Sequence, residues 1–164
     1  MKRLLTSCFG LGWLPVAPGT WGSLPPAIIF GLMYQFQLSG ILILIVMAAL
    51  ILVSSVVCVS FVPYIIALTG KTDPREVVVD EVAGQAVTFL IVAMLLPRNS
   101  STWQTWAVTT GGFLLFRLFD ITKLWPIHEL ENLPEGWGVL ADDLMAGVYA
   151  GVVLLITILL WIGR

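Results

Sequence analysis

Asp80-Glu81, Asp120 and Asp142-Asp143 put five of the chain's ten acids at the ends of apolar, charge-free segments. Carboxylates are hard oxygen donors, and Mg2+ typically takes one or two of them with waters and substrate phosphate oxygens. Arg117 and Lys123 flank Asp120. They supply the cations that phosphate recognition favours, Arg as a bidentate fork and Lys as a point charge. The turn Pro18-Gly19-Thr20-Trp21-Gly22-Ser23 leads into an apolar run and offers backbone N–H groups to an anion. Carboxylates, an arginine, a lysine and a glycine turn together read as a metal-assisted phosphoryl site.

Plainer readings of the same residues stay open at this level. Asp80 and Asp142 precede apolar helical segments, where an N-cap is sufficient reason for an acid. Adjacent helical residues point about 100° apart, so the second acids, Glu81 and Asp143, turn toward the bundle when the first ones cap. Asp120 stands near the C-terminal end of its helix, where the dipole disfavours an anion. Arg117, Asp120 and Lys123 follow at i, i+3, i+6 and share a face as a salt-bridge ladder if the helix persists that far. Such a ladder at a surface contributes only about 0–1 kcal/mol. Cys8 and Cys58 lack a phosphate-loop context, and His128 is the single histidine. The DG-x2-AR signature of CDP-alcohol phosphotransferases is absent as well, which leaves carboxylate and metal chemistry.

The elements that must position these groups belong to a membrane protein. The chain is 59% hydrophobic with a mean hydropathy of +0.99. No Asp, Glu, Lys, Arg or His occurs from Leu4 to Gly70. Ile41 to Val62 and Leu144 to Gly163 are each long enough to cross a hydrocarbon core of about 30 Å as a helix. Val82 to Pro97, Gln104 to Phe116 and Leu24 to Leu38 are shorter and charge-free. Pro63 is expected to kink or end its span, Pro97-Arg98-Asn99-Ser100-Ser101 to make an outer turn, and Ser23 to cap a helix. The expectation is an all-α, polytopic bundle of four to five transmembrane or re-entrant helices, one domain over residues 1–164.

With the N-terminus in the cytoplasm and five spans, Lys2, Arg3, Lys71, Arg75 and Lys123 fall on the cytoplasmic side. Arg117 lies near that face, and only Arg98 and Arg164 fall outside. The same orientation brings all five carboxylates to the cytoplasmic face. The net charge of −2 says little, because membrane topology follows Lys and Arg and not net charge; no nucleic-acid partner is expected.

At these residues the chain resembles the phosphatidylglycerophosphatase A family. The matching blocks are Pro18-Gly19-Thr20-Trp21-Gly22-Ser23-Leu24, Val79-Asp80-Glu81-Val82-Ala83-Gly84-Gln85, Phe116-Arg117-Leu118-Phe119-Asp120-Ile121-Thr122-Lys123, Trp125-Pro126-Ile127 and Gly138-Val139-Leu140-Ala141-Asp142-Asp143, with Ala146-Gly147 following. Leu124 departs from a usual Pro, and Glu135-Gly136 from a usual Gly-Gly; both bear on loop geometry.

The resemblance implies a Mg2+-dependent hydrolase of the bacterial inner membrane, with its site at the cytoplasmic face. It would take a phospholipid held in the bilayer, phosphatidylglycerophosphate, and release the terminal phosphate to give phosphatidylglycerol. Asp80, Glu81, Asp142 and Asp143 are then the expected metal residues, with Arg117 and Lys123 on the phosphate. Asp120 either ligates metal or orients Arg117, and Thr20, Gly22 and Ser23 close over the phosphate. Water and a carboxylate both stay open as nucleophile. Two rivals remain: a phosphatase of another lipid phosphate, and a small transporter or channel subunit using the acids as an ion relay.

Overall fold

Ser39 and Ser101 show how locally the helix starts are specified. The Ser39 hydroxyl accepts from the Leu42 N–H at 3.1 Å. Ser101 accepts from the Gln104 N–H at 3.3 Å while the Gln104 side chain accepts from the Ser101 N–H at 2.8 Å, a complete capping box. The protein is seen in a computed structural model, which describes residues 1–95, 100–134 and 136–162. Among the described residues all regular structure is helical: α1 (Lys2–Thr6), a 3-10 turn (Leu11–Trp13), α2 (Pro18–Gln35), α3 (Gly40–Thr69), α4 (Val79–Val92), α5 (Thr102–Thr122), α6 (Ile127–Leu130) and α7 (Gly136–Ile162).

Five of these are long and form the expected all-α bundle. Two, Gly40–Thr69 and Gly136–Trp161, are long and apolar enough to cross a membrane. They carry large exposed side chains such as Leu52, Val53, Ile156 and Leu160, the surface a bundle presents to hydrocarbon. α2, α4 and α5 stand beside them. α4 is short, and ten of its 14 residues are buried, so its neighbours enclose it.

The core is built around α4. Phe30 of α2 stacks on Phe89 of α4 with ring centroids 4.3 Å apart, and the Tyr34 hydroxyl donates to the Ala93 carbonyl at 2.6 Å. α4 and α7 run parallel and very close, because small residues meet there. A Cβ on Gly84 would lie against the Asp143 backbone, one on Gly147 against the Gly84 carbonyl, and one on Gly151 would lie 3.1 Å from the Ile91 Cβ. The Gly147/Gly151 pair thus serves internal packing. Thr88 ties the seam by donating to the Gly147 carbonyl at 3.3 Å.

Several helix boundaries differ from those expected of the sequence. α2 begins at Pro18, with Ala17 before it at φ 47°, so the glycine turn is already helix. Ser23 is therefore no cap: it is buried and donates to the Gly19 carbonyl at 2.7 Å. α3 runs on through Pro63 to Thr69 and ends at Gly70, left-handed at φ 67°. α4 starts before Asp80 and α7 starts six residues before Asp142, so neither acid caps a helix. Pro97, Arg98 and Asn99 of the expected outer turn, with Glu135 and Arg164, lie outside the described residues.

Candidate active site

Three helices deliver the acids to one end of the bundle. α4 contributes Asp80 and Glu81 from its first turn, α5 contributes Arg117 and Asp120 from its last, and α7 contributes Asp142 and Asp143 from its second. The α4–α7 seam fixes the spacing, since Gly84 lies one turn beyond Asp80 and packs on Asp143 itself. As a result one carboxylate oxygen from each of Asp80, Glu81 and Asp143 falls within 4.8 Å of the others. Asp80, Asp142 and Asp143 are buried.

These groups line a cavity of about 500 Å3. Asp80, Glu81, Asp120, Asp142, Asp143 and Lys123 all face it. Thr72, Asp73, Glu131 and Asn132 complete its polar wall from the loops after α3 and α6. Those four carry no motif; only the polarity of the segments beside the acids could have drawn attention to them.

The cations sit differently from a ladder along α5. Arg117 and Asp120 pair, but the helix ends at Thr122 and Lys123 takes the left-handed conformation at φ 43°. That turn carries the Lys123 ammonium away from Asp120 and across to α7. It donates to Asp142 at 2.8 Å and reaches Glu131 at 3.3 Å. Burial works against the ammonium, but Asp142 and Glu131 outweigh it and hold its pKa above the ordinary lysine value. Arg117 does not line the cavity, and its buried Nε–H has no partner among the described residues.

The glycine turn has a packing role here. A Cβ on Gly19 would press on the Glu81 carboxylate and lie 3.0 Å from Arg117 Nη1, so the missing side chain lets α2 close on those two groups. Gly22 packs on Val78, where a Cβ would come to 2.7 Å. Thr20, Gly22 and Ser23 do not line the cavity. His128 is exposed outside it.

The donor set suits a hard divalent cation. Among the described residues, seven carboxylates line the cavity against one lysine. Asp80 Oδ1 and Glu81 Oε2 are buried without a hydrogen-bond partner among the described residues. Unpaired buried carboxylate oxygens are costly, and a cation held by several of them removes that cost. Asp80, Glu81 and Asp143 could hold it together; Asp142 is turned to Lys123.

A family model described as Phosphatidylglycerophosphatase A matches residues 4–158. A Haemophilus influenzae protein named "Phosphatidylglycerophosphatase A" is 35% identical over 153 residues, covering 92% of this chain and 85% of that protein. An Escherichia coli protein of the same name is 33% identical over 157 residues, covering 93% and 80%. A Bacteroides thetaiotaomicron protein named "Putative phosphatidylinositol-3-phosphatase" is 35% identical over 159 residues, covering 97% and 93%. No solved structure matches the chain significantly.

Proposed function

The chain belongs to the phosphatidylglycerophosphatase A family, and from that premise we propose that it is a Mg2+-dependent phosphoric monoester hydrolase. It removes the terminal phosphate of phosphatidylglycerophosphate to leave phosphatidylglycerol. The site works at the cytoplasmic face of the bacterial inner membrane, with the substrate's acyl chains left in the bilayer. The single observation that carries this reading is the convergence of Asp80, Glu81 and Asp143 oxygens within 4.8 Å, in a cavity that also holds Lys123.

A divalent cation on Asp80, Glu81 and Asp143 would supply Lewis acidity toward the phosphoryl oxygens and lower the pKa of a bound water. The chain's own groups do the rest. Lys123, fixed by Asp142 and Glu131, offers the phosphate a positioned positive charge, and Arg117, paired with Asp120 and outside the cavity lining, adds positive charge beside it. Asp120 orients Arg117 through their ion pair. Preorganised donors of this kind stabilise charge that develops in the transition state. Thr72 and Asn132 also line the cavity and offer uncharged polar groups to the rest of the headgroup.

The acids cluster at one end of the bundle, which favours surface chemistry over an ion relay through its middle. The test is phosphate release from phosphatidylglycerophosphate, phosphatidic acid and phosphatidylinositol 3-phosphate by the purified protein in detergent, with Mg2+ and with EDTA. Mg2+-dependent release fastest from the first substrate supports the proposal. Preference for either of the others replaces the substrate, and release unaffected by EDTA removes the metal.

A further inference from the structure

Residues 1–17 expose apolar side chains that the bundle does not use. Phe9 is 77% exposed, Val16 73% and Trp13 54%. The segment is nonetheless pinned. Arg3 pairs with Glu76 at 2.6 Å, the Val78 N–H donates to the Thr6 carbonyl at 3.0 Å, and Gly12 packs so closely on the Glu76 backbone that a Cβ there would lie 2.8 Å from its carbonyl carbon. Held as a five-residue helix and a 3-10 turn beside the start of α4, it is too short to cross a membrane. It lies at the same end of the bundle as the acidic cavity.

Phe9 gives the most direct indication of what it meets. Its φ is 58° and that of Cys8 before it 51°, in the left-handed region that costs a side-chain-bearing residue about 1–2 kcal/mol. Backbone strain of this kind persists when the surrounding structure enforces it and often serves function. Here the left-handed pair closes the end of α1, with the Phe9 N–H donating to the Leu4 carbonyl at 2.8 Å, and it leaves the phenyl ring largely outside the protein. Lys2 and Arg75 are exposed around the same end, where lipid phosphates would meet them. Trp21, Trp125 and Trp137, also exposed, stand at the site-end termini of the long helices, the placement of interfacial aromatic anchors.

We infer that residues 1–17 form an interfacial wedge, which lies along the membrane surface beside the catalytic cavity and sinks Phe9, Trp13 and Val16 into the boundary between headgroups and acyl chains. Its partner is the lipid bilayer, and the inference rests on reading the bundle as membrane-embedded. The wedge sets the depth at which the cavity meets a lipid headgroup.

Spin labels test this in liposomes of the full chain, in a Cys8→Ser, Cys58→Ser background. Labels go at Phe9→Cys and Val16→Cys, with Val53→Cys on the lipid face of α3 as the deep reference and Lys71→Cys as the aqueous one. Accessibility to oxygen relative to a water-soluble nickel chelate should be several-fold higher at positions 9 and 16 than at 71, and below that at 53. Positions 9 and 16 reading like 71 overturns the wedge, and position 53 reading like 71 overturns the membrane reading itself. Phe9→Asn, which keeps a residue tolerant of left-handed backbone, should leave thermal stability in detergent unchanged or higher. A clear loss of stability would mean the ring packs within the protein, and the wedge fails.

Discussion

Gly84→Ala adds one methyl group, removes no charged group, and should still disable the site. The new Cβ would lie 2.6 Å from the Phe116 ring, 2.8 Å from the Asp143 carbonyl carbon and closer still to its oxygen. Favourable carbon contacts need about 3.5–4.0 Å, so α7 must back away from α4 by roughly 1 Å. Overpacking of this size costs about 1–3 kcal/mol. The larger effect is on chemistry, because the carboxylates of Asp80, Glu81 and Asp143 bridge the same seam. A misplacement of about 1 Å can cost on the order of 10²-fold in rate.

The assay is kcat for phosphate release, together with the thermal midpoint in detergent. Gly111→Ala is the matched control, since its Cβ would meet only Leu154 Cδ1 at 3.9 Å. It should keep full activity and gain up to about 1 kcal/mol from a better helix former. Gly84→Ala with wild-type kcat, in a protein that is folded, would refute the idea that α4–α7 contact sets the site.

Lys123→Met should lower kcat by about 10²–10³-fold, the scale of losing one positioned donor to a developing oxyanion. Retained activity would free Lys123 from any role in phosphate binding. Because the folded-state pKa of Lys123 is raised, the stability from its pairing with Asp142 is fully present below the ordinary lysine value and is lost only as pH rises through the higher one. The pH–rate profiles of wild type and Lys123→Arg should therefore share one shape from pH 7 to about 10. A wild-type alkaline limb in that window, absent from Lys123→Arg, would contradict the assignment. Ser101→Ala breaks the capping box of α5 and should cost about 1 kcal/mol in unfolding. It lies at the opposite end of α5 from Arg117, so kcat should not move.

Much of this molecule could be read in the chain because desolvation leaves so few alternatives. Charge-free runs with isolated acid clusters imply buried helices and a shared site, and the five carboxylates do gather at one end. Caps and turns were harder. Asp80 and Asp142 are suitable caps by type, yet each helix starts before its acid, at Val79 and Gly136, because packing against neighbours overrides a one-residue preference. The partner of Lys123 was invisible, since it depends on a single left-handed residue that ends α5 and swings the ammonium to α7. The packing role of Gly19 and Gly22 was hidden too: a glycine that admits an anion and one that admits a neighbouring side chain look alike in sequence. Thr72, Asp73, Glu131 and Asn132 come from separate loops and meet only in three dimensions.

Asp80, Glu81 and Asp143 should hold one divalent cation between them. Mn2+ binding to the purified protein in detergent, followed by electron paramagnetic resonance, tests this without relying on turnover. Wild type should show a saturable site that Mg2+ displaces, and Asp80→Asn, Glu81→Gln and Asp143→Asn should each weaken it at least tenfold while Asp120→Asn weakens it far less. Equal binding by wild type and all three folded variants would contradict the account.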